Sequence, residues 1–492
     1  MSTGVAPGRT EERIPPAAWA ALAAVALSIR LYRLGHFSFW LDEVMQSFFI
    51  HGTRKQFWES LRFDAVHPPL DYLVDRLFEV FRPSDAARRL LPVLWGTGSV
   101  ILLASLMARR AGRTAGILAG ALLALAPFHV RYSQEFRPYS LGVFLVLLSL
   151  FLLDRYLERP GAARLAALYL ACLAAMYALY LGALVLAVAG AALAVEDAVS
   201  PVSPARRSAA RRLLGGSPVF ALLLVAGYLP WLPVVREAAM RASPTRAPEM
   251  TASRLGHVLA FYGSGSGEGA AFGFGEIVYF AVAAAGVAAA IRRRGLRFLA
   301  AWIVAGSTAV EVLEHIHPHF AAPRHFLPAA VALPAATALA ITAVKRRNLL
   351  RLGASILLAA GIAAFDARGL HDYFESGRPD WRPLGAFLRA TRGNERIITE
   401  NAHAQLCVAY FVAGPGWLHR SLPGGRESGR SIIALDGDPA SIAWLWEPGK
   451  TAWLVLFGDK DSAAKRWAEP YPGIAFPTAG GGAIVKRLDR RR

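Results

Sequence analysis

Cysteine is almost missing from these 492 residues: Cys172 sits inside an apolar run and Cys407 in the polar tail, so the two do not suit one disulfide. Cysteine usage therefore says nothing about compartment. Also missing is any soluble stretch that gathers Lys and Arg on one face with interleaved aromatics or a recognisable module, as a nucleic-acid binder needs. The formal net charge of +19 is instead distributed in short basic clusters between apolar runs, and no nucleic-acid partner is expected. No repeat relates the N-terminal apolar segments to the C-terminal ones, which counts against a secondary transporter built from related halves.

What the chain has in quantity is apolar sequence. Hydrophobic residues make up 55% of it and the mean hydropathy is +0.36, outside the range usual for water-soluble globular proteins. A membrane span needs about 20 mostly apolar residues, because in hydrocarbon the backbone must satisfy its own hydrogen bonds as helix. On that basis the expected spans are 15–34, 90–108, 114–130, 140–157, 165–181, 182–196, 217–235, 276–291, 298–314, 326–344 and 349–365, about eleven in all. The charged lead from Arg9 to Arg13 before the first of them allows a cleaved signal peptide, but the many later spans favour an uncleaved anchor. The stretch 165–196 is too long for one ordinary span, and Tyr177, Tyr180 and Gly182 offer a place for it to reverse.

Alternate loops are basic: Arg109, Arg110 and Arg113; Arg155, Arg159 and Arg164; Arg206, Arg207, Arg211 and Arg212; Arg292 to Arg294 with Arg297; and Lys345 to Arg347 with Arg351. The bias of Lys and Arg toward the cytoplasmic side puts these inside. Segments 35–89, 131–139, 236–275 and 315–325, and the tail 366–492, then lie outside. The domain division expected is 1–365 for the membrane part, with first outer loop 35–89, and 366–492 for a soluble α/β domain. Within the tail, Arg396 to Glu400, Ser431 to Leu435 and Thr451 to Phe457 read as buried strands, and 404–413, 438–446 and 462–468 as helices. Gly480 to Gly482 lie between strand-like stretches and read as a hairpin turn rather than a phosphate loop.

The outer segments carry the residues with chemical potential. Asp42 and Glu43 stand a few residues beyond the first span, where a site meets both lipid and water, although the same pair would serve to cap a helix. His67-Pro68-Pro69-Leu70 fixes an extended approach to a helix start and would hold His67 in a defined place. Arg131 to Tyr139 compresses Arg131, Glu135 and Arg137 between two spans, where charges are expensive unless paired or facing a watery cavity; headgroup contact by the arginines is the plainer alternative. His315, His317 and His319 alternate in a way that would suit a divalent metal in an extended loop, although the spacing matches no zinc signature. Arg324, at the threshold of a span, suits a phosphate, because a guanidinium pairs with phosphate oxygens as a fork. Together these groups would permit transfer of a sugar from a lipid phosphate: Asp42 as base for the incoming hydroxyl, the arginines for the departing charge.

Several of these stretches, in order, resemble a known group. Leu41-Asp42-Glu43, His67-Pro68-Pro69-Leu70, Tyr132 to Leu141, Arg324 to Pro328 and Pro379-Asp380-Trp381-Arg382 are similar to the landmarks of glycosyltransferase family 39-like membrane proteins of the GT-C fold, relatives of protein O-mannosyltransferases and lipid A aminoarabinose transferases. The resemblance implies a polytopic α-helical membrane protein and an inverting hexosyl or pentosyl transfer. A polyprenyl-phosphate sugar would be the donor and a lipid, glycan or protein the extracytoplasmic acceptor. It further implies Asp42 as catalytic base with Glu43 and Glu135 as acidic partners, and His67, Arg131, Glu135, Arg137, Tyr139 and Arg324 around the donor phosphate. In some members a divalent metal takes part, for which Glu43, Glu135 and His67 are the candidate ligands. The location implied is a bacterial inner membrane with the tail periplasmic or extracellular. Position 136 departs from the pattern, with Phe where many relatives have a small residue. Two other classes remain open at this stage, a secondary transporter and a non-catalytic protein that binds the lipid carrier.

Overall fold

The computed structural model describes residues 14–81, 84–241, 262, 273–316, 323–343, 349–375, 380–391, 395–418, 432–435, 451–457, 463–476 and 483–488. The expected helix 438–446, the glycines 480–482 and Pro379 lie outside the described residues, as does most of 236–275. The N-terminal helices are α1 (Pro16–Leu31), α2 (Leu41–Ile50), α3 (Arg54–Asp64), α4 (Leu70–Phe78) and α5 (Asp85–Arg88). There follow α6 (Leu90–Ala111), α7 (Arg113–Leu125), α8 (Pro127–Ser133), α9 (Tyr139–Glu158), α10 (Ala162–Ala178), α11 (Tyr180–Val199), α12 (Pro204–Gly215), α13 (Ser217–Tyr228) and α14 (Leu232–Arg241). Then come α15 (Phe274–Ile291), α16 (Arg297–Ile316), α17 (Leu327–Ala330), α18 (Leu333–Ala343) and α19 (Leu349–Glu375). The tail carries α20 (Arg382–Thr391), α21 (Ala402–Ala413) and α22 (Ala463–Ala468) with strands β1 (Arg396–Thr399), β2 (Ile432–Ala434), β3 (Ala452–Phe457), β4 (Gly473–Phe476) and β5 (Ala483–Leu488).

Each expected span overlaps at least one described helix. By length and composition, five described helices can cross a membrane, or up to eight if each bent pair is one span. The bent pairs are α7 with α8 (63°), α12 with α13 (56°), and Pro323–Ala330 with α18 (43°). The reversal expected near Tyr177 and Tyr180 is a break at Leu179, whose extended backbone separates α10 from α11. Gly112, with φ +98°, ends α6 and starts α7; only a residue without Cβ turns the chain there at no steric cost.

The chain divides into two compact units. The first comprises Met1–Tyr32, Ala65–Asp71 and Arg89–Phe374; the second comprises Arg33–Asp64, Tyr72–Arg88 and Glu375–Arg492. Most of the first outer loop thus groups with the tail rather than with the apolar helices, a division different from the 365/366 boundary read from the sequence. The reason is packing: α2 bears Phe48, and Phe39 precedes it; both rings meet Tyr410 of α21, at 6.0 and 5.6 Å between centroids.

In the first unit α6 packs on α7 and α9, α11 on α16, and α15 on α18. Lipid gives these helices little hydrophobic reason to associate, so close fit must do it. Gly286 shows how close: a Cβ there would overlap the Ala336 carbonyl of α18. One end of this unit is tied by ions. Arg110 reaches Asp154 (2.5 Å) and Asp197 (3.0 Å), Arg206 reaches the same two acids at 2.8 Å each, and Arg109 holds Asp154 (2.6 Å) and Glu158 (2.5 Å). Beside them Glu196 accepts the backbone N–H groups of Gly295, Arg297 and Phe298, at 2.7, 3.0 and 2.9 Å, capping the start of α16. The ends of α6, α9 and α11 and the starts of α12 and α16 therefore meet at one end of this unit.

The second unit is built on a mixed sheet of order β2-β1-β3-β5-β4. β1 pairs in parallel with β2 and β3, and β5 pairs antiparallel with β3 and β4. The expected α/β character of the tail is thus present, with the three expected strands as β1 to β3. The helices expected over 404–413 and 462–468 are α21 and α22.

Candidate functional site

His67 lies in the first unit, in the short segment Ala65–Asp71, and the two prolines after it lead directly into α4. It is buried, with its ring edge-on to Tyr139 at 5.5 Å. Tyr139 in turn meets Tyr132 at 5.1 Å. Burial, then the charges of Arg137, His325 and Arg324, holds the His67 imidazole well below its ordinary pKa, so the ring is neutral. Its Nε2 is buried and has no hydrogen-bond partner among the described residues. An aromatic wall, an imidazole nitrogen without a partner among the described residues and two guanidiniums are thus gathered in one unit, a set suited to an anion.

The remaining charged residues of that group come from the end of α8, the short α8–α9 connection and the turn before α17. Arg131 and Glu135 face each other at 3.7 Å, with Glu135 almost fully buried. Arg324 sits on the 3-10 turn Pro323–Phe326. That turn is held by Tyr262, whose hydroxyl donates to the Pro323 carbonyl and whose ring packs on Phe128 at 5.3 Å. Phe136, the departure noted in the sequence, is fully buried.

Asp42 and Glu43 lie in the second unit, on the first turn of α2. Glu43 is buried and its Oε2 accepts the Trp40 N–H at 3.4 Å, so for this residue the capping alternative is realised. Asp42 is half-buried, and its carboxylate acts on His403 and Cys407 of α21. Burial lowers the His403 pKa while Asp42 opposes that shift; burial, then Asp42, raises the Cys407 thiol. Tyr410, one helical turn beyond Cys407, donates to Asp85 (2.7 Å) and accepts from Arg88 (2.6 Å), and Arg88 is also bound to Glu79 (2.5 Å). The Asp380-Trp381-Arg382 landmark fastens the tail to the start of the first loop. Arg382 donates to the carbonyls of Gly35 (2.8 Å) and His36 (2.5 Å), the Trp381 N–H donates to Ser38 (3.3 Å), and the Trp381 ring lies 4.7 Å from Phe457.

The expected residues therefore fall into two sets. His67, Arg131, Glu135, Arg137, Tyr139 and Arg324 belong to one unit, Asp42 and Glu43 to the other. Sequence reasoning missed His403 and Tyr410: Tyr410 carried no signal beyond lying in the expected helix 404–413, and His403 stood just before it. Of the candidate metal ligands, His67 and Glu135 are in the first unit and Glu43 in the second. Among the described residues no group of three or more His, Cys, Asp or Glu side chains could hold a metal ion; the side chains of His315, His317 and His319 lie outside them.

With helices long and apolar enough to cross a membrane and a small mixed sheet after them, the chain is similar in fold to solved membrane glycosyltransferases of the GT-C fold. Residues 66–231 match the family model of dolichyl-phosphate-mannose-protein mannosyltransferase. Among solved structures, the chain is similar to ArnT from Cupriavidus metallidurans bound to undecaprenyl phosphate, at 15% identity and a TM-score of 0.58, over 96% of this chain and 98% of that one. It is also similar to the archaeal oligosaccharyltransferase AglB from Archaeoglobus fulgidus in complex with an inhibitory peptide and a dolichol-phosphate. There the identity is 11% and the TM-score 0.55, over 96% of this chain and 74% of that one. No curated protein sequence matches. The resemblance read from the ordered landmarks is borne out.

Proposed function

We propose that this protein is a membrane glycosyltransferase that moves a sugar from a polyprenyl-phosphate carrier to an extracytoplasmic acceptor with inversion at the anomeric carbon. The observation that carries the reading is His67, buried and neutral, its Nε2 without a described partner, under the charges of Arg137 and Arg324. A lipid phosphate would offer acceptor oxygens to that nitrogen and negative charge to those guanidiniums. The match to a mannosyltransferase family over 66–231 and the lipid phosphates bound by two proteins of the same fold support it.

In the proposed step the acceptor hydroxyl oxygen attacks the anomeric carbon from the face opposite the phosphate. The carbon–oxygen bond to the phosphate breaks, and its electron pair leaves with the lipid phosphate. Asp42 takes the hydroxyl proton, and Arg137, Arg324 and Arg131 receive the phosphate charge. The chain would cross the membrane about eleven times, its basic loops inside and its tail, 366–492, outside. In a bacterium this places the site on the outer face of the inner membrane.

The test is incubation of the purified protein with radiolabelled sugar on polyprenyl phosphate and a mixture of membrane lipid, glycan and protein acceptors. Label moved covalently to one of them is the expected result. Movement of a solute across vesicles with no covalent transfer would overturn the proposal in favour of a transporter.

A further inference from the structure

The break between α7 and α8 has a specific chemical cost. Pro127 has no N–H to give the Leu123 carbonyl, and the 63° bend leaves the last carbonyls of α7 without helical donors. In water they would be hydrated; inside an apolar bundle they must be met by protein. Arg30 of α1 meets them. Its Nη1 donates to the carbonyls of Ala26 (2.9 Å) and Ala124 (3.3 Å), and its Nη2 to Leu123 (3.4 Å) and to Nδ1 of His129 (2.7 Å). A guanidinium has no acceptor, so His129 Nδ1 is the unprotonated ring nitrogen and the proton is on Nε2. Arg30 is fully buried, and its charge lies at the negative end of α7, with no carboxylate bonded to it among the described residues.

The same site is locked on two further sides. The Gln134 amide, at the end of α8, donates to the backbone carbonyls of Arg30 and Tyr32, each at 2.8 Å, and accepts from the Tyr373 hydroxyl of α19 at 3.0 Å. Gly96 of α6 lets the helices close on this point, because a Cβ there would overlap Ser133 and lie 3.0 Å from Arg30 Nε. Arg131 lies within the segment so held, and Glu135 and Arg137 follow it directly.

We infer that Arg30 is a positioning residue: by satisfying the carbonyls freed at the α7–α8 break, it fixes the orientation of α8 and thereby places Arg131, Glu135 and Arg137 for the lipid phosphate. Arg30 touches no reacting group in this account. The inference rests on the donor site proposed above for its functional half, while its structural half stands independently.

The experiment compares wild type with Arg30→Met, Arg30→Lys and Gly96→Ala as full chains in detergent, by hydrogen exchange of peptides covering 127–139 and by donor kinetics. Arg30→Met is expected to speed exchange across 127–139 while α9 stays protected, and to lower kcat/KM for the donor about 10²-fold through misplacement of binding groups. Arg30→Lys keeps a charge but cannot fork to two helices and a ring, so it should show the same pattern at smaller size and an unfolding temperature close to wild type. Gly96→Ala should loosen the same peptides without removing any charge. Should Arg30→Met fail to fold, Arg30→Lys and Gly96→Ala decide. Unchanged exchange over 127–139 in these two, or loss spread evenly through the chain, would overturn the inference. If wild type transfers no sugar, the proposed function fails, yet the exchange readout still decides whether Arg30 holds α8.

Discussion

Asp42, Arg324 and His67 make different demands on the same proposed chemistry, which allows them to be tested separately. Asp42→Asn keeps size and polarity but cannot take a proton, so kcat should fall about 10²–10⁴-fold while binding of the polyprenyl-phosphate donor is retained. Normal turnover would end the base assignment. Arg324→Ala removes charge-assisted hydrogen bonds worth about 1.5–3 kcal/mol; the donor KM should rise about 10–100-fold before kcat changes. His67 bears on pH. Its folded pKa lies well below the ordinary 6.5 because of burial and then the cations beside it. The unfolded chain therefore takes up the proton first, and the stability that neutral His67 contributes is complete above that value and lost as pH falls below it. His67→Gln, which does not titrate, should flatten the acid side of a stability profile followed by thermal unfolding; an unchanged profile would show that His67 carries none of it.

At the scale of helices and strands, long apolar runs are legible because only helix satisfies the backbone in lipid, and the strands of the tail because short apolar runs between turns leave few alternatives. The acids within the apolar helices were not legible. Asp154 and Glu196 fall inside expected spans and Asp197 just beyond one, yet the structure joins them to arginines and amides far along the chain. Nor was it legible that the cap of α7 would come from Arg30, which in sequence is only one of two arginines, with Arg33, near the end of the first span. The ion cluster has a measurable consequence. The Asp154 side chain is fully buried and holds Arg109, Arg110 and Arg206 together, so Asp154→Ala leaves guanidiniums without their shared counter-charge and should cost about 3–5 kcal/mol. A lowered unfolding temperature in detergent is the readout. Adding Arg110→Met should return part of the loss, because the uncompensated charge rather than the missing contact is the larger cost; strictly additive losses would contradict this.

For the molecule as a whole, the informative feature is that the acidic first loop and the tail share one unit. A tail that only recognised acceptor would be dispensable for the geometry around Asp42. Instead Tyr410 stacks on Phe39, packs on Phe48 and is bonded to Asp85 and Arg88, while Arg382 grips the carbonyls of Gly35 and His36. These contacts bracket Asp42 from both sides in sequence. Tyr410→Ala empties a buried aromatic position, at a cost of about 3–5 kcal/mol, and leaves Asp85 and Arg88 to rearrange. Arg382→Ala frees two carbonyls at the start of the loop. Both variants should increase protease cleavage within 35–64 and lower kcat with little change in acceptor KM, because the loop bearing Asp42 is what they loosen. If either instead raised acceptor KM while the loop stayed protected, the tail would be a recognition module that happens to lie against the loop, and the ordering of Asp42 would have to come from α2 and its own cap, Glu43, alone.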